Sequence, residues 1–170
     1  MLAWHLGKRS HLDTLFFIDK LDEATSGQFQ ATTDGWKYYP GTITRCLGDR
    51  VDYSQLLKVY GPSEGEEHRY SPARVVEVIA KPVLGQPDPA RICTSHVERQ
   101  NLSIRTGMRR MTRLTNAFCK KWENLKAAYA LWFAFYNFCR VHQTLRVTPA
   151  MEAGIADHAW TIEEMLSSLA

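Results

Sequence analysis

The sequence predicts a mixed α/β fold, α/β or α+β, in which a sheet from the first half carries long helices from the second. Three observations lead there. Short runs that alternate or are rich in β-branched residues, bounded by Gly, Pro or Asp, crowd the chain before residue 81. Beyond residue 94, apolar side chains recur at helical spacing over two long stretches. The chain has 170 residues, 45% hydrophobic and 23% charged, enough for one globular domain with a sizeable core.

The elements follow in order. Leu2, Trp4 and Leu6 alternate with Ala3 and His5 and predict a strand ending at Gly7. Ser10 can cap a helix with Asp13 in its first turn; Leu12, Leu15, Phe16 and Leu21 give it an apolar stripe, and Gly27 ends it. Gln28 to Thr33 reads as a strand stopped by Asp34-Gly35. Pro40 suits the first turn of a helix that ends at Gly48. Gln55 to Tyr60 is the next strand, and residues 61–73 read as a surface loop. Val75 to Ala80 is a short β-branched strand; Lys81 to Ala90, with Pro82, Pro87 and Pro89, reads as irregular. A helical run from about Ser95 to Asn116 follows, then an aromatic helix over Ala117 to Cys139. Thr148-Pro149 restarts a short helix, and Thr161 with Glu164 forms a capping box for the last one.

The net charge is only +3, but it is unevenly spread. Residues 98–146 hold ten Lys and Arg against two acids, while residues 147–170 hold four acids and no base. The middle block can therefore bind a polyanion. A membrane surface would also use cations, but no large apolar moment opposes this face and no apolar run reaches the ~18 residues of a span. Nucleic acid is the favoured partner, with no role for a membrane. Cys46, Cys93, Cys119 and Cys139 are far apart and form no C-x-x-C pair, so free thiols are expected rather than zinc or disulfides. The first residues lack the pattern of a secretion signal.

Two carboxylates stand out. Asp34 sits between a strand and a glycine, where it can point into open space above a sheet edge. Glu98 heads a segment with no other acid before Glu123, and between them lie Arg99, Arg105, Arg109, Arg110, Arg113, Lys120 and Lys121. On a continuous helix Arg105 and Arg109 fall within about 20° of Glu98, while Val97, Ile104, Met108 and Met111 face inward. Acids that can hold a divalent ion beside phosphate-binding cations suit chemistry on a nucleic-acid backbone. Each feature has a plainer reading. Asp-Gly is a common turn; Ser95-x-x-Glu98 is itself a capping-box pattern; the cations can be a solvated helix face, although they lack the interleaved acids that pair at i,i+4. The aromatic stripe over residues 118–136 reads as core rather than a base-stacking platform. His142 reads as a polar residue near a helix end, and His96 points away from Glu98.

A resemblance bears on these readings. The segments Gln30-Ala31-Thr32-Thr33-Asp34-Gly35-Trp36 and Thr94-Ser95-His96-Val97-Glu98-Arg99-Gln100-Asn101-Leu102 resemble bacterial insertion-sequence transposases of the DDE group, close to the insertion sequence one family. The likeness continues through Met108 to Phe118 and Tyr136 to Leu145. It implies an RNase H-like fold, a polynucleotidyl transferase dependent on Mg2+ or Mn2+, and a bacterial cytoplasmic protein held at the nucleoid through DNA. By that likeness Asp34 matches the second acid of the catalytic triad and Glu98 the third. The first acid lies, in such enzymes, upstream of the segment that Leu2 to Arg9 resembles. Asp13, Asp19 and Asp22 fall in the predicted first helix and do not replace it. The expectation is a truncated catalytic domain over residues 1–146, lacking its first strand, with residues 147–170 as a helical extension of the same domain. Two acids in place of three hold metal weakly, so little strand transfer is expected from the chain alone.

Three functions compete. The first is the partial transposase. The second is a non-catalytic protein that binds DNA, or that sequesters subunits of a full-length transposase; homo-oligomers fit either. The third is an unrelated helix-turn-helix regulator reading DNA with residues 97–116, against which the lack of a compact three-helix unit counts.

Overall fold

The computed structural model describes residues 2–61, 75–112 and 119–168. The fold is mixed α+β: a three-stranded mixed sheet and, among the described residues, six α-helices. The chain divides into two compact units, residues 2–98 and 99–170.

The first unit holds the sheet. Helix α1, His11–Glu23, starts where Ser10 accepts a hydrogen bond from the backbone N–H of Asp13 and closes on Ala24. It ends before Gly27, which takes a positive φ in the loop beyond. Strand β1, Phe29–Thr33, pairs in parallel with β2, Val51–Tyr60, with Phe29 opposite Val51 and Thr33 opposite Gln55. Helix α2, Tyr39–Leu47, with proline in its first turn, provides the crossover that a parallel pair requires. Strand β3, Val75–Leu84, pairs antiparallel with β2, so β2 is central and β1 and β3 are edges. Ile18, Ile43, Leu47, Val51 and Tyr53 form the buried core, with Phe17, Leu21, Phe29 and Leu84 packed against it. Arg50 ties the loop after α1 to β2: its guanidinium donates to the carbonyl oxygens of Thr25 and Gly27 and pairs with Asp22.

Several sequence expectations change here. Residues 2–7 form no strand, and Leu2 is exposed. The buried face of α1 runs through Thr14 and Ile18, whereas Leu12 and Phe16 are 59% and 47% exposed. Apolar residues lie on both sides of this helix, and Thr14 is drawn inward because its Oγ1 accepts from Trp36 Nε1 at 3.0 Å. The irregular stretch begins later than expected, because β3 continues through Pro82 to Leu84. Proline is tolerated there because β3 is an edge strand and the register shifts at that point: Tyr53 faces Leu84 and Ser54 faces Pro82. The loop expected over 61–73 lies, but for Gly61, outside the described residues.

Helix α3, Ser95–Gly107, contains the boundary between the units and is followed by a 3-10 turn, Arg109–Met111. The helical run expected to reach Asn116 therefore breaks at Gly107, and residues 113–118 lie outside the description. A Cβ on Gly107 would sit 2.0 Å from Trp132 Cη2, so the ring occupies the space a side chain would need. Of the four residues expected to face inward, Ile104 and Met108 are buried, Met111 is half-buried and Val97 is 56% exposed.

In the second unit the aromatic helix starts at Trp122 rather than Ala117. Helix α4, Trp122–Ala134, passes into a π-helical turn, Phe135–Cys139. Its stripe is only partly core: Phe133 is buried, while Trp122 is exposed. Helix α5, Pro149–Glu152, is capped by Thr148 as expected. Helix α6, Ile162–Ser167, carries the full capping box between Thr161 and Glu164. Both short helices contact the π-helical turn, where Phe138 and Trp160 pack with ring centroids 4.4 Å apart. Met108, Leu131, Trp132, Phe135, Ile162 and Leu166 line an apolar groove of about 510 Å³ that the sequence did not announce.

Candidate functional site

Asp34 is the first residue after β1, at the C-terminal end of the parallel pair. Its Oδ1 accepts from the backbone N–H of Trp36 at 3.0 Å, closing the turn that Gly35 permits. Gln55 of β2 fastens that turn from beneath, donating to the carbonyl oxygens of Asp34 and Trp36 at 3.2 and 3.3 Å. Oδ2 accepts from Arg9 Nη2 at 3.3 Å, and the Arg9 guanidinium lies 4.5 Å from the centre of the Trp36 ring. Asp34 is thus both a turn residue and an exposed carboxylate facing a cation. Behind it, burial raises the Tyr39 phenol, with the Asp34 charge adding to the effect. Burial pushes Tyr53 up to about 12, and its hydroxyl lies 2.7 Å from Thr33 Oγ1.

Glu98 lies in the first turn of α3. Its Oε1 accepts from Thr94 Oγ1 at 2.8 Å and pairs with Lys58 Nζ. Lys58 stands on β2, three residues beyond the partner of Thr33. Glu98 is therefore tied to the strand beside the one that Asp34 terminates, and both contacts fall beyond the same end of the β1–β2 ladder. The hydrogen bond from Lys58, helped by Thr94, holds the Glu98 carboxyl below the usual carboxylate range. Reciprocally, Glu98 raises the Lys58 ammonium. Ser95, the other half of the expected capping box, instead directs its hydroxyl to Cys93 Sγ at 3.5 Å.

No local pattern points to Arg9 as a partner of Asp34. Lys58 had one visible signal: a lone cation inside the apolar run Leu56-Leu57-Lys58-Val59-Tyr60. Other acids of this unit are engaged elsewhere. Asp13 bonds to His5 and Ser10, Asp22 to Arg50, Asp52 to the backbone of Gln86, and Asp88 to the backbone of Ala90. Among the described residues no group of three or more metal-ligating side chains occurs.

The cations belong mostly to the second unit. Arg99, Arg105, Arg109, Arg110, Lys120 and Lys121 are all exposed, and among the described residues none of them pairs with a carboxylate. Arg105 lies in the last turn of α3, but Arg109 and Arg110 sit in the separate 3-10 turn. The single helical face expected for Glu98, Arg105 and Arg109 therefore does not extend to Arg109. Arg113 lies outside the described residues. His142 stands edge-on to Tyr136 at 4.6 Å between ring centroids, and burial lowers its pKa. Cys46, Cys93, Cys119 and Cys139 are free thiols. No described helix is long and apolar enough to cross a membrane.

No family model matches the chain, and no curated protein or solved structure does.

Proposed function

We propose that the chain is a DNA-binding protein of the DDE-type transposase kind with an RNase H-like core, in which Asp34 and Glu98 are ligands for Mg2+ or Mn2+. One observation carries this reading. An acid directly follows a strand, a second acid in the next long helix is held by Lys58 on the adjacent parallel strand, and both stand more than half exposed beyond the same end of the ladder. The donor chemistry fits: two carboxylates are hard oxygen ligands suited to these cations. A bound ion would supply Lewis-acid stabilisation of charge on a phosphodiester.

The residues of the chain do the rest. Trp36 and Gln55 fix the Asp34 turn, and Thr94 and Lys58 fix the Glu98 rotamer, so both carboxylates are held in place. Arg9 and Lys58 now supply the positive charge that a divalent ion would bring, and they must yield for it to bind. The exposed cations of residues 99–121 bind backbone phosphates. Two acids alone hold one ion weakly, so DNA binding without cleavage is expected of the pair.

Thermal melting with Mg2+ tests the acid pair. At a concentration tenfold above Kd, linkage gives about 1.4 kcal/mol, or roughly 3–5 °C for a chain of this size. Asp34→Asn and Glu98→Gln should each remove that shift while leaving the metal-free melting temperature nearly unchanged. A shift retained by both variants would overturn the assignment of the two acids. Mg2+-dependent plasmid nicking that both substitutions abolish would instead overturn the inactivity of the chain.

A further inference from the structure

Among the described residues no strand pairs with the outer side of β3, and its half from Val75 to Ile79 is exposed and apolar but for Glu77. Val76 and Val78 on one face are 67% and 53% exposed, and Ile79 on the other is 40% exposed, on the same face as Val59 of β2. An edge strand offers a row of unpaired N–H and C=O groups, which charge, proline or a cover usually protects against pairing. On β3 these devices are the opposite charges Glu77 and Lys81, with Pro82 at one end.

We propose that β3 is a self-association surface that pairs antiparallel with β3 of a second copy of this chain about a twofold axis at Ile79. The sequence of the strand is complementary to itself in that register. With Ile79 opposite its own copy, Glu77 faces Lys81 of the second strand, and Lys81 faces Glu77, giving two opposite-charge cross-strand pairs from one symmetric contact. On the opposite face Val78 meets Ala80 twice. A one-residue slip to a Val78 centre would set Glu77 against Ile79 and Val75 against Lys81, losing both charge pairs. Pro82 has no N–H to donate and terminates the ladder, leaving a five-residue pairing from Glu77 to Lys81. The surface lies in residues 2–98 and needs no nucleic acid, so it stands apart from the function proposed above.

Sedimentation of the full 170-residue chain under reducing conditions, which keep the four free thiols from linking copies, tests it. A monomer–dimer equilibrium in the micromolar range is expected. Glu77→Lys alone and Lys81→Glu alone each replace two attractions by two repulsions and should weaken the dimer by about tenfold. The double exchange Glu77→Lys with Lys81→Glu restores both pairs and should recover the affinity to within about threefold. Both positions are exposed, so circular dichroism should show all three variants folded. A chain that stays monomeric at high concentration, a dimer indifferent to the single exchanges, or a double exchange that fails to recover it would each overturn the proposal.

Discussion

At Gly85 one methyl group separates a working turn from a clash. Its φ is +67°, and a Cβ there would lie 2.1 Å from Asp52 Oδ1 and 3.2 Å from Asp52 Cα. The Asp52 carboxylate cannot simply swing aside, because it accepts from the backbone N–H of Gln86 at 2.7 Å and closes the end of β3. Gly85→Ala should cost about 2 kcal/mol in urea unfolding, combining left-handed strain with a lost hydrogen bond. Nothing in the sequence marked this glycine beyond its proline-rich surroundings. The two acids were easier to find. Asp34 announces itself as Asp-Gly at the end of a strand, and Glu98 as the only acid before a long basic run. What they touch was not legible, because Arg9 and Lys58 lie 25 and 40 positions away and no local pattern encodes such distances.

Among the elements, capped helices were read well and edges poorly. Ser10, Thr148 and Thr161 each accept the backbone hydrogen bond that a cap requires, since capping depends on a few adjacent residues. Pro82 was read as a breaker because only the sheet reveals that β3 has a free side. The capping box of α6 adds a pH response. His158 lies between Asp157, at 2.6 Å, and Glu164, at 3.4 Å. The hydrogen bond that His158 donates to Asp157, then that to Glu164, raises the His158 pKa. Bonding to His158 lowers Asp157, and the Thr161 backbone and then its hydroxyl lower Glu164. A raised histidine stabilises below its unfolded pKa and loses that contribution as pH rises through the folded value. Lowered carboxylates stabilise above their unfolded pKa and lose it as pH falls through the folded value. The start of α6 should therefore be most stable between the carboxylate range and neutrality. In an NMR titration the His158 ring should show a midpoint above that of an ordinary histidine, and Asp157→Asn should move it back. A midpoint at or below the ordinary value would remove His158 from the cap.

For the whole molecule, charge was more legible than shape. The basic block predicted from composition corresponds, among the described residues, to the exposed cations Arg99, Arg105, Arg109, Arg110, Lys120 and Lys121, none paired with a carboxylate, because ion pairing within a helix is visible as sequence spacing. The break at Gly107 was not, since an isolated glycine inside a helical pattern is often tolerated. The salt dependence of duplex DNA binding, followed by fluorescence anisotropy, measures this block. Arg105→Ala and Arg110→Ala should each flatten the slope of log K against log salt by about one unit, whereas Arg91→Ala in the other unit should not. Unchanged slopes in the first two variants would exclude these side chains from phosphate contact.

The parallel pairing of β1 with β2 has a kinetic consequence. Its two strands meet only after α2 has been laid between them, so the chain must close a long excursion before any of that ladder rewards it. The helices of residues 99–170 draw on nearer neighbours and can condense sooner. During synthesis the part that leaves the ribosome first is thus the slower to mature, and the apolar flank of β3 stays open to wrong partners throughout that delay.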